Sequence, residues 1–239
     1  MSPPFPIPVG FFSSAAGGGG ASIVTSDLEL HLDAADAASY GGSGTTWSDL
    51  TSNNHDFTFA SAPSHTASPG FFNFASNQAT NSDTISITRG AIEVWFRWDS
   101  GSSSTVPIVT ATGGWFAMGN ATGALPSESI EFNTGVSAVM DYSNGHLFFR
   151  DSTWHQFVAV IDGTANVIYV DGAAVTTTFR SGSATSTGLT TGSSHRIGTS
   201  AGGFNWDGDI SIVRIYDVAS FSASDVLQNW NAQKARHGR

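Results

Sequence analysis

Ten short segments between Thr84 and Tyr216 constrain this chain more than any other feature. TISIT, IEVWFRW, PIVTA, WFAMG, SIEFN, HLFF, WHQFVAVI, NVIYV, AVTTTF and ISIVRIY follow one another, separated by turn-forming clusters such as DSGSSS, SNG, DGTAN and DG. Runs of four to eight residues rich in Val, Ile, Thr and aromatics, bounded in this way, are strands. No alternation of strands with helical stretches accompanies them, which excludes a sheet built from βαβ units. The expectation is an all-β sandwich of about a dozen strands. Within it, NVIYV and AVTTTF flank Asp171-Gly172 and predict a hairpin with a two-residue turn. Leu28 to Leu32 alternates as Ile210 to Tyr216 does, and pairing of these two segments would close the sandwich at its ends. In the closing segment, Ile210 and Ile212 are expected in the core, and Arg214 needs a partner or a path to water.

One helix is predicted, over about residues 222–236. Ser222 is a good N-cap with Asp225 three residues on. Val226, Leu227 and Trp230 form an apolar stripe at spacings of three and four, so that the helix should dock through Trp230. Lys234 and Arg236 would complement the dipole in its last turn.

Composition narrows the function. Of 239 residues, 12% are charged and 40% are apolar, and the net charge is −10. Lys234 is the one lysine, and no basic residue precedes Arg89 although seven acidic ones do. Binding to nucleic acid by phosphate neutralisation is therefore not expected. With no cysteine, disulfides and thiolate metal sites are excluded. No apolar run reaches the length of a membrane span, and MSPPFPIPVGFF lacks the basic start of a secretory signal. The expectation is a protein made in the cytoplasm, without a membrane partner.

Residues 1–26 differ from the remainder, 27–239, which forms the sandwich domain. Four of the eight prolines lie in SPPFPIP, and GGGG occupies Gly17 to Gly20. Polyproline geometry followed by a flexible link describes an extended arm. Phe5, Ile7, Phe11 and Phe12 on it are apolar and are the candidate anchors for a partner or a second copy of the chain.

Three stretches taken together resemble a known family. LELHLDAADAASYGGSGTTWSDL, STWHQFVAVIDGTANVIYVDG and FNWDGDISIVRIYDVASFSASDVLQNWNA are similar to the opening, the central hairpin and the closing strand and helix of laminin-G-like, concanavalin A-like domains of bacteriophage structural proteins. The resemblance runs from Leu28 to Ala232 and implies an antiparallel jelly roll. One departure stands out: TSNNHD follows Trp47-Ser48-Asp49-Leu50 where such domains often carry Ser-Gly-Asn, which leaves that loop's shape open. The resemblance implies a non-enzymatic virion structural protein, such as a capsid decoration, head fibre or tail component, held by its arm to other virion proteins. The alternative is a carbohydrate-binding adhesion module that recognises host-surface glycans.

Candidate sites follow from chemistry. Glycosidases of this fold need two glutamates on one strand face, and the chain has only Glu29, Glu93, Glu128 and Glu131. Glu128 and Glu131 are three apart and point to opposite faces of a regular strand, so no catalytic residue is assigned. Trp115, Phe116, Trp206 and the loop from His195 to Phe204 are candidates for an aromatic sugar platform. No cofactor is expected beyond calcium, for which Asp33, Asp207 and Asp209 are the candidates if the first and last strands pair. The competing reading makes Asp207-Gly208-Asp209 a turn that feeds the closing strand.

Overall fold

A computed structural model describes residues 22–75, 77–85, 87, 89–98, 106–111, 114–118, 130–133, 139–142, 151–161, 166–183, 194–199 and 206–239. The anchors Phe5, Ile7, Phe11 and Phe12 lie outside them, as does HLFF. Numbered in chain order, the strands are β1 (Leu28–Asp33), β2 (Thr46–Trp47), β3 (Phe57–Phe59), β4 (Ser64–Thr66), β5 (Phe71–Asn73), β6 (Ala79–Asn81), β7 (Gly90–Trp98), β8 (Val106–Ala111), β9 (Gly114–Met118), β10 (Ile130–Asn133), β11 (Val139–Tyr142), β12 (Trp154–Ile161), β13 (Val167–Val170), β14 (Ala173–Ala174), β15 (Thr178–Ser181), β16 (His195–Ile197) and β17 (Gly208–Tyr216). One sheet, here sheet A, runs β14-β13-β12-β7-β17-β5-β4, with β1 also on β17. Sheet B runs β15-β11-β10-β9-β8-β16-β6-β3-β2. The strand pairs are antiparallel, as the alternating sequence requires.

The core lies between the sheets and includes Trp47, Phe57, Phe72, Phe96, Trp98 and Phe157, each at most 1% exposed. Burying one such ring contributes about 1.5–3 kcal/mol. A second apolar layer, with Ala91, Val158, Val160, Tyr216, Phe221 and Val226, fills the outer face of sheet A. The C-terminal helix (Ala223–Gln233) covers that face. Strands β7 and β17 are thus packed on both sides, which explains why even their polar residues Glu93 and Arg214 are 0% exposed.

The sandwich closes as the alternation predicts. Leu30 pairs with Ile215, Leu32 with Val213 and Asp33 with Ile212. The side-chain phase of β17 differs from the expectation. Against β7, Ile210 faces Phe96 but Ile212 faces Trp95, so Ser211 is an inserted residue. That bulge swaps the faces: Val213 and Ile215 join Ile210 in the core, and Ile212 turns to the helix side. Arg214 lands on the helix side as well. Its Nη1 donates to Glu93 Oε1 at 3.2 Å, and Glu93 also accepts from Trp95, Gln156 and Asn229. Removing one member of such a buried pair costs about 3–5 kcal/mol, because the other charge stays behind unpaired.

The hairpin forms at Asp171 (φ 50°) and Gly172 (φ 79°), the left-handed pair of a type I′ turn. It is shorter than AVTTTF suggests. Only Ala173–Ala174 pair back on β13, and the chain then crosses to sheet B as β15. TISIT supplies the buried Ile85 and Ile87, but its described residues are not in a strand.

The helix starts as predicted, with Ser222 and Asp225 in a reciprocal capping box. Its end differs. Lys234 is the C-cap, and Arg236 lies beyond it, where its Nη1 donates to Asp33 at 2.8 Å. Leu227 is 47% exposed, and the buried face of the helix carries Val226 and Asn229. Trp230 docks as expected, stacked on Trp95 at 5.2 Å.

Candidate functional site

On sheet B the outward row of β3, β6 and β16 is polar, while Phe57, Phe59, Ala79 and Ile197 of the same strands point into the core. Thr58 lies opposite Thr80, and Thr80 opposite Arg196. The row continues in backbone register through Thr110 to Trp115. Two loops rise beside it, residues 54–56 before β3 and 82–83 after β6. Together they enclose a groove of about 540 Å³ whose lining includes Asp56, Asn81, Asp83, His195 and Arg196. A volume of 300–1,000 Å³ is typical of small-ligand sites.

The loop TSNNHD, residues 51–56, forms one wall. Asp49 holds it by accepting from the backbone N–H groups of His31 (2.9 Å), Thr51 (3.0 Å) and His55 (3.0 Å). Asn54 adopts φ 57°, a left-handed conformation that Asn tolerates better than most side chains. His55 then sits between two carboxylates, with Nδ1 3.2 Å from Asp83 and Nε2 3.3 Å from Glu29. Asn81 Nδ2 donates to Asp83 at 3.1 Å and to the Asp56 carbonyl at 2.7 Å. The hydrogen bonds from Asn81 and His55 hold the Asp83 carboxyl below the usual carboxylate range.

Four of the described arginines are committed to partners within the fold. Arg97 bonds Asp209, Arg214 bonds Glu93, Arg236 bonds Asp33 and Arg239 bonds Asp171. Arg196 makes no hydrogen bond or ion pair with the described residues and lines the groove. The site thus presents carboxylate acceptors, amide and hydroxyl groups and a guanidinium donor on one concave surface. That set matches the hydroxyls of a saccharide, which both donate and accept.

The sequence-derived candidates fall differently. Trp206 is fully buried, against Phe96 at 5.7 Å and Trp98 at 5.9 Å. Its face is core surface and offers no sugar platform. Trp115 and Phe116 lie in β9, and their side chains are outside the described residues. The three aspartates are not assembled. Burial raises Asp33, but the hydrogen bond and charge of Arg236 outweigh it and keep the carboxyl below its usual range. Asp209 is 2% exposed and accepts from Arg97 Nε at 2.9 Å and Asn73 at 3.0 Å. Among the described residues no three His, Asp or Glu groups converge on a metal position. Gly208 opens β17 and is not a turn residue: a Cβ there would lie 2.5 Å from the Arg97 carbonyl oxygen. Of the glutamates, Glu93 is locked in its buried pair and Glu29 bonds His55 and Asn53. Glu131 occupies β10 opposite Ala117 and Asp141, and Glu128 is outside the described residues.

The model of the concanavalin A-like lectin/glucanases superfamily, of laminin G type, matches residues 73–226, well over half of the chain. The chain belongs to this family. Curated proteins provide no match. Among solved structures, the concanavalin A-like domain is similar to domain 4 of a GH43 extracellular arabinanase from Geobacillus stearothermophilus in complex with arabinotriose, at 14% identity and a TM-score of 0.61 over 85% of this chain and 98% of that one. A botulinum neurotoxin type C structure, from work in which cell entry depends on two ganglioside molecules, aligns at 13% identity and a TM-score of 0.61, over 86% of this chain and 51% of that one. Trypanosoma rangeli sialidase in complex with sialic acid aligns at 14% identity and a TM-score of 0.58, over 92% and 35%. The chain therefore spans about half of the toxin chain and a third of the sialidase. At these identities the likeness is one of fold.

Proposed function

We propose that this chain is a carbohydrate-binding module that holds a neutral oligosaccharide in the groove on the outer face of sheet B. The observation that carries the reading is Arg196, a guanidinium without a protein partner among the described residues, in a concave surface otherwise lined by hydroxyl, amide, carboxylate and imidazole groups. The sugar-bound arabinanase domain and sialidase among its structural neighbours support the reading. Neutral ligands are favoured because Asp56 and Asp83 flank the site and the chain carries a net charge of −10. That field repels anionic sugars before contact. The role is binding without turnover, since among the described residues no glutamate lines the groove. A virion setting, which the resemblance to phage domains implies, would be carried by the arm.

The test is titration calorimetry with arabinotriose, cellotriose and xylotriose, and with sialyllactose as the anionic comparison. Binding of a neutral sugar is expected, weakened about tenfold or more in Arg196→Ala, in line with the loss of a hydrogen bond from a charged group. Absence of binding to all four sugars, or an Arg196→Ala variant as tight as the parent, removes the reading.

A further inference from the structure

The placement of His55 points to control of this same groove, and the inference rests on the groove being the saccharide site. Asp83 forms part of the groove wall, yet its side chain is 49% exposed. Two groups hold it: Asn81 Nδ2 and His55 Nδ1. The other ring nitrogen of His55 faces Glu29 Oε1 at 3.3 Å. Glu29 lies on β1 and is itself held by Asn53 Nδ2 at 3.1 Å. Asp49 takes the His55 backbone N–H, Asp56 follows in the chain, and His195, paired with Asn81 on the neighbouring strand, acts on Asp83. The ring of His55 is only 13% exposed, so water replaces neither contact easily.

A neutral imidazole carries one N–H and one lone pair, while imidazolium carries two N–H groups. Only the imidazolium donates to Asp83 and Glu29 together. In either neutral tautomer one carboxylate meets a lone pair and is repelled. We propose that His55 is a positioning residue that makes saccharide binding pH-dependent: its imidazolium form clamps Asp83 on the groove wall, and its neutral form releases it. Each carboxylate keeps one other side-chain donor, Asn53 for Glu29 and Asn81 for Asp83. Asp83 is the partner that gives way because its side chain is the more exposed, at 49% against 28%. Affinity is then highest where the ring is protonated and falls as rising pH removes that proton.

The experiment measures binding of arabinotriose, cellotriose and xylotriose between pH 5.5 and 8, together with NMR of the His55 ring in the sugar-free protein. The parent should bind several-fold to about tenfold more weakly at pH 8 than at pH 5.5, the span that loss of one hydrogen bond covers. Two N–H signals on the His55 ring should give way to one over the same interval. In His55→Gln the pH profile should be flat. Glu29→Gln is outside the groove and separates positioning from a merely structural role. Its amide N–H can donate to a neutral Nε2, which leaves Nδ1–H on Asp83, so binding at pH 8 should recover toward its value at pH 5.5. Melting temperatures at pH 7.5 confirm that each variant is folded. Sugar binding that is indifferent to pH, or that keeps the parent's pH profile in His55→Gln, overturns this proposal and leaves the saccharide reading standing. Failure of the parent to bind any of the sugars at either pH overturns both.

Discussion

Single residues in this protein are read correctly only when their layer is known. His237 shows the cost of a polar group under the helix. Its ring stacks on Trp95 at 4.2 Å and contacts Ser211 Oγ at 3.0 Å. Burial, with Arg236 and Arg214 nearby, lowers its pKa to about 4. His31 is lowered to about 4 as well, by burial and by Arg214. The unfolded chain takes up these protons near the ordinary histidine value, the folded chain only near 4. Between those limits the unfolded state binds more protons, so stability should fall as pH drops from about 6.5 toward 4. For His237 the full effect is about 3 kcal/mol. Urea titrations from pH 7.5 to 4.5 should show this slope, reduced in His237→Phe, which keeps the stacking but cannot be protonated. A variant with the parent's slope would show that the acid sensitivity arises elsewhere. The groove residues were harder to see in the sequence than these. Residues 54–58, 80–83 and 194–196 share no motif and meet only because β3, β6 and β16 are neighbours. The local signals were TSNNHD, singled out as a departure from the resemblance, and the loop starting at His195, named for a sugar platform; both supply groove residues.

Elements were legible where local chemistry decides them. Two alternating segments found each other as β1 and β17, Asp171-Gly172 made the hairpin, and Ser222 with Asp225 capped the helix. The bulge at Ser211 was not legible, because ISIVRIY reads as regular alternation and only its register against β7 displaces a residue. Strands β2 to β6 escaped notice because each is two or three residues long, below the window in which period-two patterning can be recognised. The hairpin and the helix also depend on each other. Gly172 has φ +79°, and a Cβ there would lie 2.8 Å from the Trp230 ring. Gly172→Ala therefore combines left-handed strain with a clash at the helix contact, and should cost at least about 1–3 kcal/mol. Ala173→Ser next to it is exposed and should stay within about 0.5 kcal/mol of the parent. Chemical denaturation followed by tryptophan fluorescence distinguishes them, and equal stabilities would show that the helix docks without this contact.

At the scale of the whole molecule, the two outer faces differ in what covers them. The helix covers sheet A, and the first described residues are tied to it: Gln228 donates to the Ser22 carbonyl at 2.8 Å, and the Val24 N–H donates to Asn229 at 2.8 Å. Tyr216 also donates to the Val24 carbonyl, at 3.3 Å. Ser22 and Val24 thus lie on the sheet A side, and the groove opens from sheet B. A module held by its arm would present the groove away from whatever holds it. The chain has no cysteine, so single cysteines can test this. Biotin at Leu227→Cys, on the exposed helix face, should give an immobilised protein that binds the neutral sugars as the free protein does. Biotin at Ser82→Cys, on the groove wall, should abolish binding. The strand that closes the sandwich begins at Leu28, so the arm can be tested by truncation. A chain beginning at Ala21 should keep the parent's melting temperature and sugar affinity. It loses Phe5, Ile7, Phe11 and Phe12, each able to contribute roughly 1.5–3 kcal/mol in a partner groove before ordering costs. Sedimentation of the two chains, alone and with particles, then decides what the arm does. If it is an anchor, the shortened chain folds and binds sugar but stays out of the assembly, and if the shortened chain assembles like the parent, attachment through the arm is wrong.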